Sequence, residues 1–218
     1  MNLSQPSQPS QPSLFGGVAN LPKARDDGNR ILGDAYYTPD ALALAIVEAL
    51  QAEGCPLDGE ILEPSVGGGA FLRALLACSP RLRLTALDIN PEAQGLKAAQ
   101  EEGLEALPGV DFLSYQPGRR YDLILGNPPY AQAEAHVRHA LHCADRVVFL
   151  LRSAFGESAA RVSFWRAHPA RHVWMCAQRP SFTSDGRTDG CAYSVFYWDQ
   201  TRHSRTTYTP CWDWRGTA

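Results

Sequence analysis

An apolar stretch, Tyr121-Asp122-Leu123-Ile124-Leu125-Gly126, runs straight into Asn127-Pro128-Pro129-Tyr130. The side chain of Asn127 offers a carbonyl oxygen as an acceptor. Pro128 and Pro129 fix two φ angles and remove two N–H donors, so the loop is stiff and its carbonyls face outward. Tyr130 adds a flat ring beside them. Acceptors next to a ring suit a planar amino group, such as that of adenine, held for attack. The same four residues would otherwise be a plain Pro-Pro turn at a strand end.

A second cluster lies upstream. Glu63-Pro64-Ser65-Val66-Gly67-Gly68-Gly69-Ala70-Phe71 follows a short strand, Glu60 to Glu63, and opens a helix. Glycines there let the backbone turn tightly and approach a ligand closely. The segment lacks both the phosphate-loop pattern and the full G-x-G-x-x-G dinucleotide spacing. Asp88 ends a second strand, where a carboxylate can accept from both hydroxyls of a ribose. Asp111 sits at an expected third strand, Val110 to Leu113, and could take the amino group of a base. Four polar features at four successive strand ends are the layout of a ligand site in an open α/β sheet.

The remaining chain supplies the frame. Thr38-Pro39-Asp40 reads as a helix start, with a capping hydroxyl, a proline at the first helical position and an acid in the first turn. Helices are expected over 41–50, 70–78, 91–102 and 131–144, with partly helical structure over 153–168. Strands are expected at 60–63, 83–88, 110–113, 121–126, 146–151, 172–176 and 192–198. Arg146 to Leu151 is almost wholly apolar after its first residue, as a strand buried on both faces requires. This alternation predicts a doubly wound α/β sheet. Residues 3–13 repeat Ser-Gln-Pro and cannot bury a core, so 1–13 is expected to be a disordered tail and 14–35 an irregular lead-in. Residues 36–218 are expected to form one catalytic domain.

Composition excludes some classes. In 218 residues, 44% hydrophobic and 20% charged, no run of about 18 apolar residues occurs and no secretory leader is visible, so a cytoplasmic, non-membrane protein is expected. The six cysteines are scattered without a CxxC pair, which reads as reduced thiols. Residues 1–118 carry 7 Lys and Arg against 15 Asp and Glu, a balance of −8; residues 119–218 carry 13 against 8, a balance of +5. An acidic half suits a cationic cofactor and a basic half suits a polyanion. His136, His139 and His142 recur at helical spacing, but no strand-borne partner ligand accompanies them, so no metal is expected.

In order, Tyr36-Tyr37-Thr38-Pro39, the Glu63 to Phe71 segment, Asp88, Asp111 and Asn127-Pro128-Pro129-Tyr130 resemble the motif set of S-adenosylmethionine-dependent DNA adenine-N6 methyltransferases of the gamma-type motif order. The resemblance covers about residues 36 to 198. It implies a Rossmann-like class I fold, with a mostly parallel seven-stranded sheet and helices on both faces. It also implies roles. Tyr37, Thr38 and Pro39 would border the cofactor's methionine part and adenine side. Glu63, Pro64, Ser65, Gly67, Gly69 and Phe71 would form the methionine pocket. Asp88 would bind ribose, Ile89 would pack on the cofactor's adenine, and Asp111 and Phe112 would read it. Asn127, Pro128, Pro129 and Tyr130 would hold a target adenine flipped out of duplex DNA, with Phe182 clamping it. Arg179, Arg187, Arg202 and Arg205 are candidates for phosphate contacts. RNA adenine or a protein glutamine is the alternative substrate. Only seven residues, Ser114 to Arg120, separate two expected strands and only 20 follow Trp198, so neither stretch holds a target-recognition domain. Sequence reading would come from loops, a second protomer or a specificity partner.

Overall fold

The computed structural model describes residues 37–79, 83–182, 188, 190–202 and 205–216. The expected tail and lead-in, together with Tyr36 and Arg187, lie outside the described residues.

The elements run α1 (Asp40–Ala52), β1 (Glu60–Glu63), α2 (Ala70–Cys78), β2 (Arg83–Asp88), α3 (Gln94–Glu101), β3 (Glu105–Pro108), β4 (Tyr121–Gly126), α4 (Ala133–Cys143), β5 (Ala144–Arg152), α5 (Val162–Ala167), β6 (His172–Cys176), β7 (Tyr193–Asp199) and β8 (Thr207–Trp212). The strands form one sheet in the order β3-β2-β1-β4-β5-β7-β6-β8. β7 runs antiparallel to β5 and β6, and every other pair is parallel. The carboxyl ends of β1, β2, β4, β5, β6 and β8 therefore share one rim, at which β7 begins.

Period-two alternation divides the core between the faces of the sheet. Ile61, Leu123, Leu125, Val148, Leu150, Val195 and Tyr197 point to the face covered by α1, α2 and α3. Leu62, Ile124, Val147, Phe149, Leu151, Phe196 and Trp198 point to the face covered by α4 and α5. On that second face Phe155, Phe164, Trp165, Phe196 and Trp198 pack ring on ring. Among the described residues no helix is long and apolar enough to cross a membrane.

Three expectations are corrected. The sheet has eight strands, not seven: β8 adds itself outside β6. Its sequence, Thr-Tyr-Thr-Pro-Cys-Trp, buries neither face and contains a proline, which an edge strand tolerates and a central one does not. The third strand is Glu105–Pro108 rather than Val110 to Leu113. Gly103, at φ 70°, ends α3 and returns the chain to the sheet. The side chain of Asp111 accepts the Leu113 N–H at 3.0 Å and turns Phe112–Ser114 into a short 3-10 segment, a local bond that competes with a strand. Finally, Thr38 does not cap α1. Pro39 occupies the cap position without a side-chain bond, and the Thr38 hydroxyl is used elsewhere.

Candidate active site

β1 ends at Glu63, and the chain passes through Pro64 to Gly69 into α2 on the shared rim. Gly67 and Gly69 hold φ of 48° and 78°, the left-handed region that only glycine enters readily. The loop is tied down on three sides. The Gly67 N–H donates to Asp88 Oδ2 at 2.8 Å, and the Gly95 N–H donates to the Gly67 carbonyl at 2.8 Å. Arg73 donates from one guanidinium nitrogen to the Gly68 carbonyl at 2.7 Å and from two others to Asp40 on α1. The Tyr37 ring lies on the loop, so that a Cβ at Gly68 would sit 3.1 Å from Tyr37 Cδ1.

A cleft opens above this loop, lined by Tyr37, Thr38, Glu63, Ser65, Val66, Gly68, Ala70, Phe71 and Asn127. Glu63 is 1% exposed. Burial, chiefly, pushes its carboxyl well above the usual carboxylate range; Asp88 adds to the rise, while Arg73 and the Leu72 N–H oppose it. Its Oε2 is buried with no hydrogen-bond partner among the described residues. A buried acceptor in that state is costly unless a donor meets it. A ligand ammonium group would supply the donor and restore the charged carboxylate.

Asn127 joins the same cleft from the end of β4. Its Nδ2 donates to Thr38 Oγ1 at 3.2 Å. That bond orients the amide, because with the nitrogen held by Thr38 the oxygen projects from the opposite corner of the planar group. Thr38, brought in from before α1, thus aligns the acceptor 89 residues downstream. Behind it stands an aromatic group. The Tyr130 ring lies 5.4 Å from Tyr193 and 6.3 Å from Phe182, and the Arg152 guanidinium lies 5.3 Å from its centroid.

The structure therefore brings Tyr37, Thr38, Glu63, Ser65, Phe71 and Asn127 together. Pro39, Pro64, Gly67 and Gly69 form the backbone around them. Asp88 stands beside the cleft, its carboxylate accepting the N–H groups of Gly67 and Asn90 at 2.8 and 2.9 Å. Ile89, next to it, is 67% exposed on the rim. Asp111 and Phe112 do not line the cleft: Asp111 is exposed, and Phe112 is buried in the second core against His139, ring centres 4.7 Å apart. Arg179 is exposed three residues before Phe182. Arg202 and Arg205 belong to the opposite rim, since β7 ends beside the start of β5, where the Gln200 N–H donates to the Asp145 carbonyl.

Sequence reasoning passed over Arg73 and Gly95. Both carried a signal. An arginine in the first turn of a helix faces the unfavourable end of its dipole. A glycine opening a helix gives up propensity and marks a close approach. Two of the three histidines of α4 are spent locally: His136 Nδ1 reaches the Gln132 carbonyl at 3.0 Å and His139 Nε2 the Tyr115 carbonyl at 2.9 Å. Among the described residues no cluster of metal-ligating side chains occurs. All six cysteines are free thiols.

No protein-family model matches the chain. It is 34% identical over 130 residues to the type II methyltransferase M.TthHB8I of Thermus thermophilus, covering 59% of this chain and 27% of that protein. It is 40% identical over 75 residues to the release factor glutamine methyltransferase of Koribacter versatilis, covering 33% of this chain and 27% of that protein. The chain thus spans about a quarter of the length of these curated relatives. Among solved structures it is similar to a putative RNA methyltransferase from Pyrococcus horikoshii, with TM-score 0.65 and 13% identity over 78% of this chain and 90% of that one. It is equally similar to a type I restriction-modification methyltransferase subunit from Streptococcus thermophilus, with TM-score 0.65 and 14% identity over 82% of this chain and 48% of that one. These likenesses establish the Rossmann-like class I methyltransferase fold, and both curated relatives are methyltransferases.

Proposed function

We propose that this chain transfers a methyl group from S-adenosylmethionine to the exocyclic N6 of adenine in DNA. The observation that carries the proposal is the meeting, in one cleft, of a buried carboxyl group with an orphaned oxygen and an asparagine amide held by Thr38. S-Adenosylmethionine fits the donor set. Glu63 Oε2 takes its ammonium, the glycine backbone of 67–69 leaves room for its methionine part, and Asp88 with Ile89 offers a carboxylate and an apolar surface for ribose and adenine. When bound, the cofactor supplies a methyl group on a sulfonium centre.

The protein's part is to ready a weak nucleophile. The lone pair of an adenine amino group is spread into the ring. Asn127 Oδ1 and the Pro128 main-chain carbonyl each accept one N6 hydrogen, which draws the nitrogen toward a tetrahedral shape and localises the lone pair. Positive charge grows on that nitrogen during transfer, and the two oxygens stabilise it without reorganising. Thr38 keeps the amide from rotating its nitrogen into the acceptor position. Placing methyl and nitrogen in line supplies much of the remaining acceleration. Taking the base out of the duplex costs about a few kcal/mol, and the ring of Tyr130 with Phe182 beside it offsets part of that.

The longer matched stretch with a type II methyltransferase and the basic second half of the chain favour DNA. A glutamine amide in a protein is the second reading, favoured by the higher local identity to a release factor glutamine methyltransferase. The test offers labelled S-adenosylmethionine with duplex DNA, structured RNA and protein extract in parallel. The proposal expects label in DNA, recovered as N6-methyl-2′-deoxyadenosine. Label confined to protein glutamine or to RNA overturns it.

A further inference from the structure

We infer that the segment after β6 and the tail after β8 build a phosphate-binding rim, formed by Arg179 and Arg215, for the nucleic-acid strand that presents the target base. The inference rests on the DNA reading above and names where the backbone of that substrate is held.

Strand direction places the rim. β8 is parallel to β6, and β6 points the same way as β4 and β5, so the chain leaves β8 on the edge where Asn127 and Tyr130 stand. The tail is strapped to the segment following β6. The Ala177 N–H donates to the Trp212 carbonyl at 3.0 Å, and Trp214 Nε1 donates to the Gln178 carbonyl at 2.9 Å. The Gln178 amide also donates to Asp213 Oδ1. Trp214 is buried, which pins Arg215 in place. From Gln178 the segment continues through Arg179 to Phe182, whose ring lies 4.9 Å from Tyr193 and 6.3 Å from Tyr130. One short stretch therefore joins the target pocket to the tail.

The two arginines differ from most of their kind in this chain. Arg119, Arg120, Arg138, Arg146, Arg161 and Arg171 each have a carboxylate partner. Arg179 and Arg215 are exposed, and neither side chain makes an ion pair or hydrogen bond among the described residues. The Arg215 guanidinium lies over the Trp214 ring, 4.8 Å from its centre, an arrangement that fixes its direction and leaves its N–H groups open. Asp213, the acid on the tail, is already engaged by Gln178 and by the Arg215 N–H at 3.3 Å. Two open cations on the rim that also carries the aromatic pocket match a backbone track leading to an unstacked base.

The test measures binding of a duplex oligonucleotide by fluorescence anisotropy across a salt series, with methyl transfer to the same DNA followed in parallel. Arg179→Ala with Arg215→Ala should weaken binding at least about tenfold at low salt. It should also flatten the log–log salt slope by about 1.8, two phosphate contacts at roughly 0.9 each. Cofactor affinity should be unchanged, and the Arg179→Lys/Arg215→Lys pair should restore the slope, because a charge is what the rim supplies. Arg202→Ala with Arg205→Ala, on the opposite rim, should leave affinity and slope as they are. If the wild type methylates DNA while the Arg179/Arg215 variant keeps its affinity and slope, the rim is wrong and the DNA reading stands. A loss of equal size from the opposite rim also overturns it. If the wild type neither binds nor methylates DNA, the DNA reading fails and the rim fails with it.

Discussion

Gly95→Ala adds a single methyl group to the first turn of α3 and should cost both stability and cofactor affinity. A Cβ there would stand 2.5 Å from Val66 Cγ2, 2.9 Å from Gly69 N and 3.0 Å from Gly69 Cα. Val66 is 3% exposed, so its methyl has little room to retreat. Gly69 is held by its own N–H to the Val66 carbonyl at 2.7 Å and by the Arg73 N–H to its carbonyl at 3.0 Å. Overpacking of this kind costs about 1–3 kcal/mol. Alanine returns up to about 1 kcal/mol of helix propensity. The net loss is about 1 kcal/mol, or roughly 2–4 °C in Tm for a chain of this size. The strain falls on the loop that cradles the cofactor, through the Gly95 to Gly67 hydrogen bond at 2.8 Å. A displacement costing a further 1.4 kcal/mol on binding would weaken S-adenosylmethionine about tenfold. Thermal unfolding and isothermal titration calorimetry read the two effects. Val66→Ala in the same chain removes the 2.5 Å clash but not the backbone ones, so it should rescue in part. Gly118→Ala, where a Cβ meets open space, is the control. A Gly95→Ala protein with wild-type cofactor affinity and a raised Tm would refute the close-approach argument.

Two further outcomes follow from the site. Glu63 is held above the ordinary carboxylate pKa of about 4.3, so the ligand-free fold gains stability as pH falls toward that value and loses it as pH rises through the raised pKa. A bound ammonium reverses the preference. Cofactor affinity should therefore climb with pH until Glu63 ionises unaided, and binding below that point should release a proton, measurable as a buffer-dependent enthalpy; Glu63→Gln should abolish the release and flatten the profile. Arg73→Ala cuts the tie between α1 and the glycine loop and should raise KM for S-adenosylmethionine about tenfold or more while lowering kcat little, with Arg73→Lys recovering only part, since a lysine cannot span Asp40 and the Gly68 carbonyl together. Equal losses in kcat and KM would count against that role.

The parts of the fold that the sequence discloses are those whose physics is local. The buried strand Arg146 to Leu151, the helix Ala70 to Cys78 after its glycines, and the strand 121–126 before Asn127 all announce themselves through hydrophobic run and turn chemistry. Edge strands do not. β3 is only partly buried and β8 hardly at all, so neither carries the alternation that identifies a strand. Asp111 looked like a strand-end ligand because its bond to the Leu113 N–H depends on a turn that spacing does not reveal. At the site, Asn127 and Glu63 were legible as chemistry, and Thr38 was legible as a border. That the Thr38 hydroxyl should orient Asn127 rather than cap α1 is a contact across 89 residues, which only the folded chain brings together.

In the proposed mechanism the side-chain oxygen of Asn127, which lines the cleft, accepts from the target amine. Single-turnover methyl transfer to duplex DNA by Asn127→Ala, with S-adenosylmethionine affinity measured on the same preparation, tests it most directly. Transfer should fall by about 100- to 1,000-fold, the usual cost of removing one group that stabilises developing charge, while the cofactor still binds within about threefold of the wild type. An Asn127→Ala protein that methylates DNA at the wild-type rate would contradict the account.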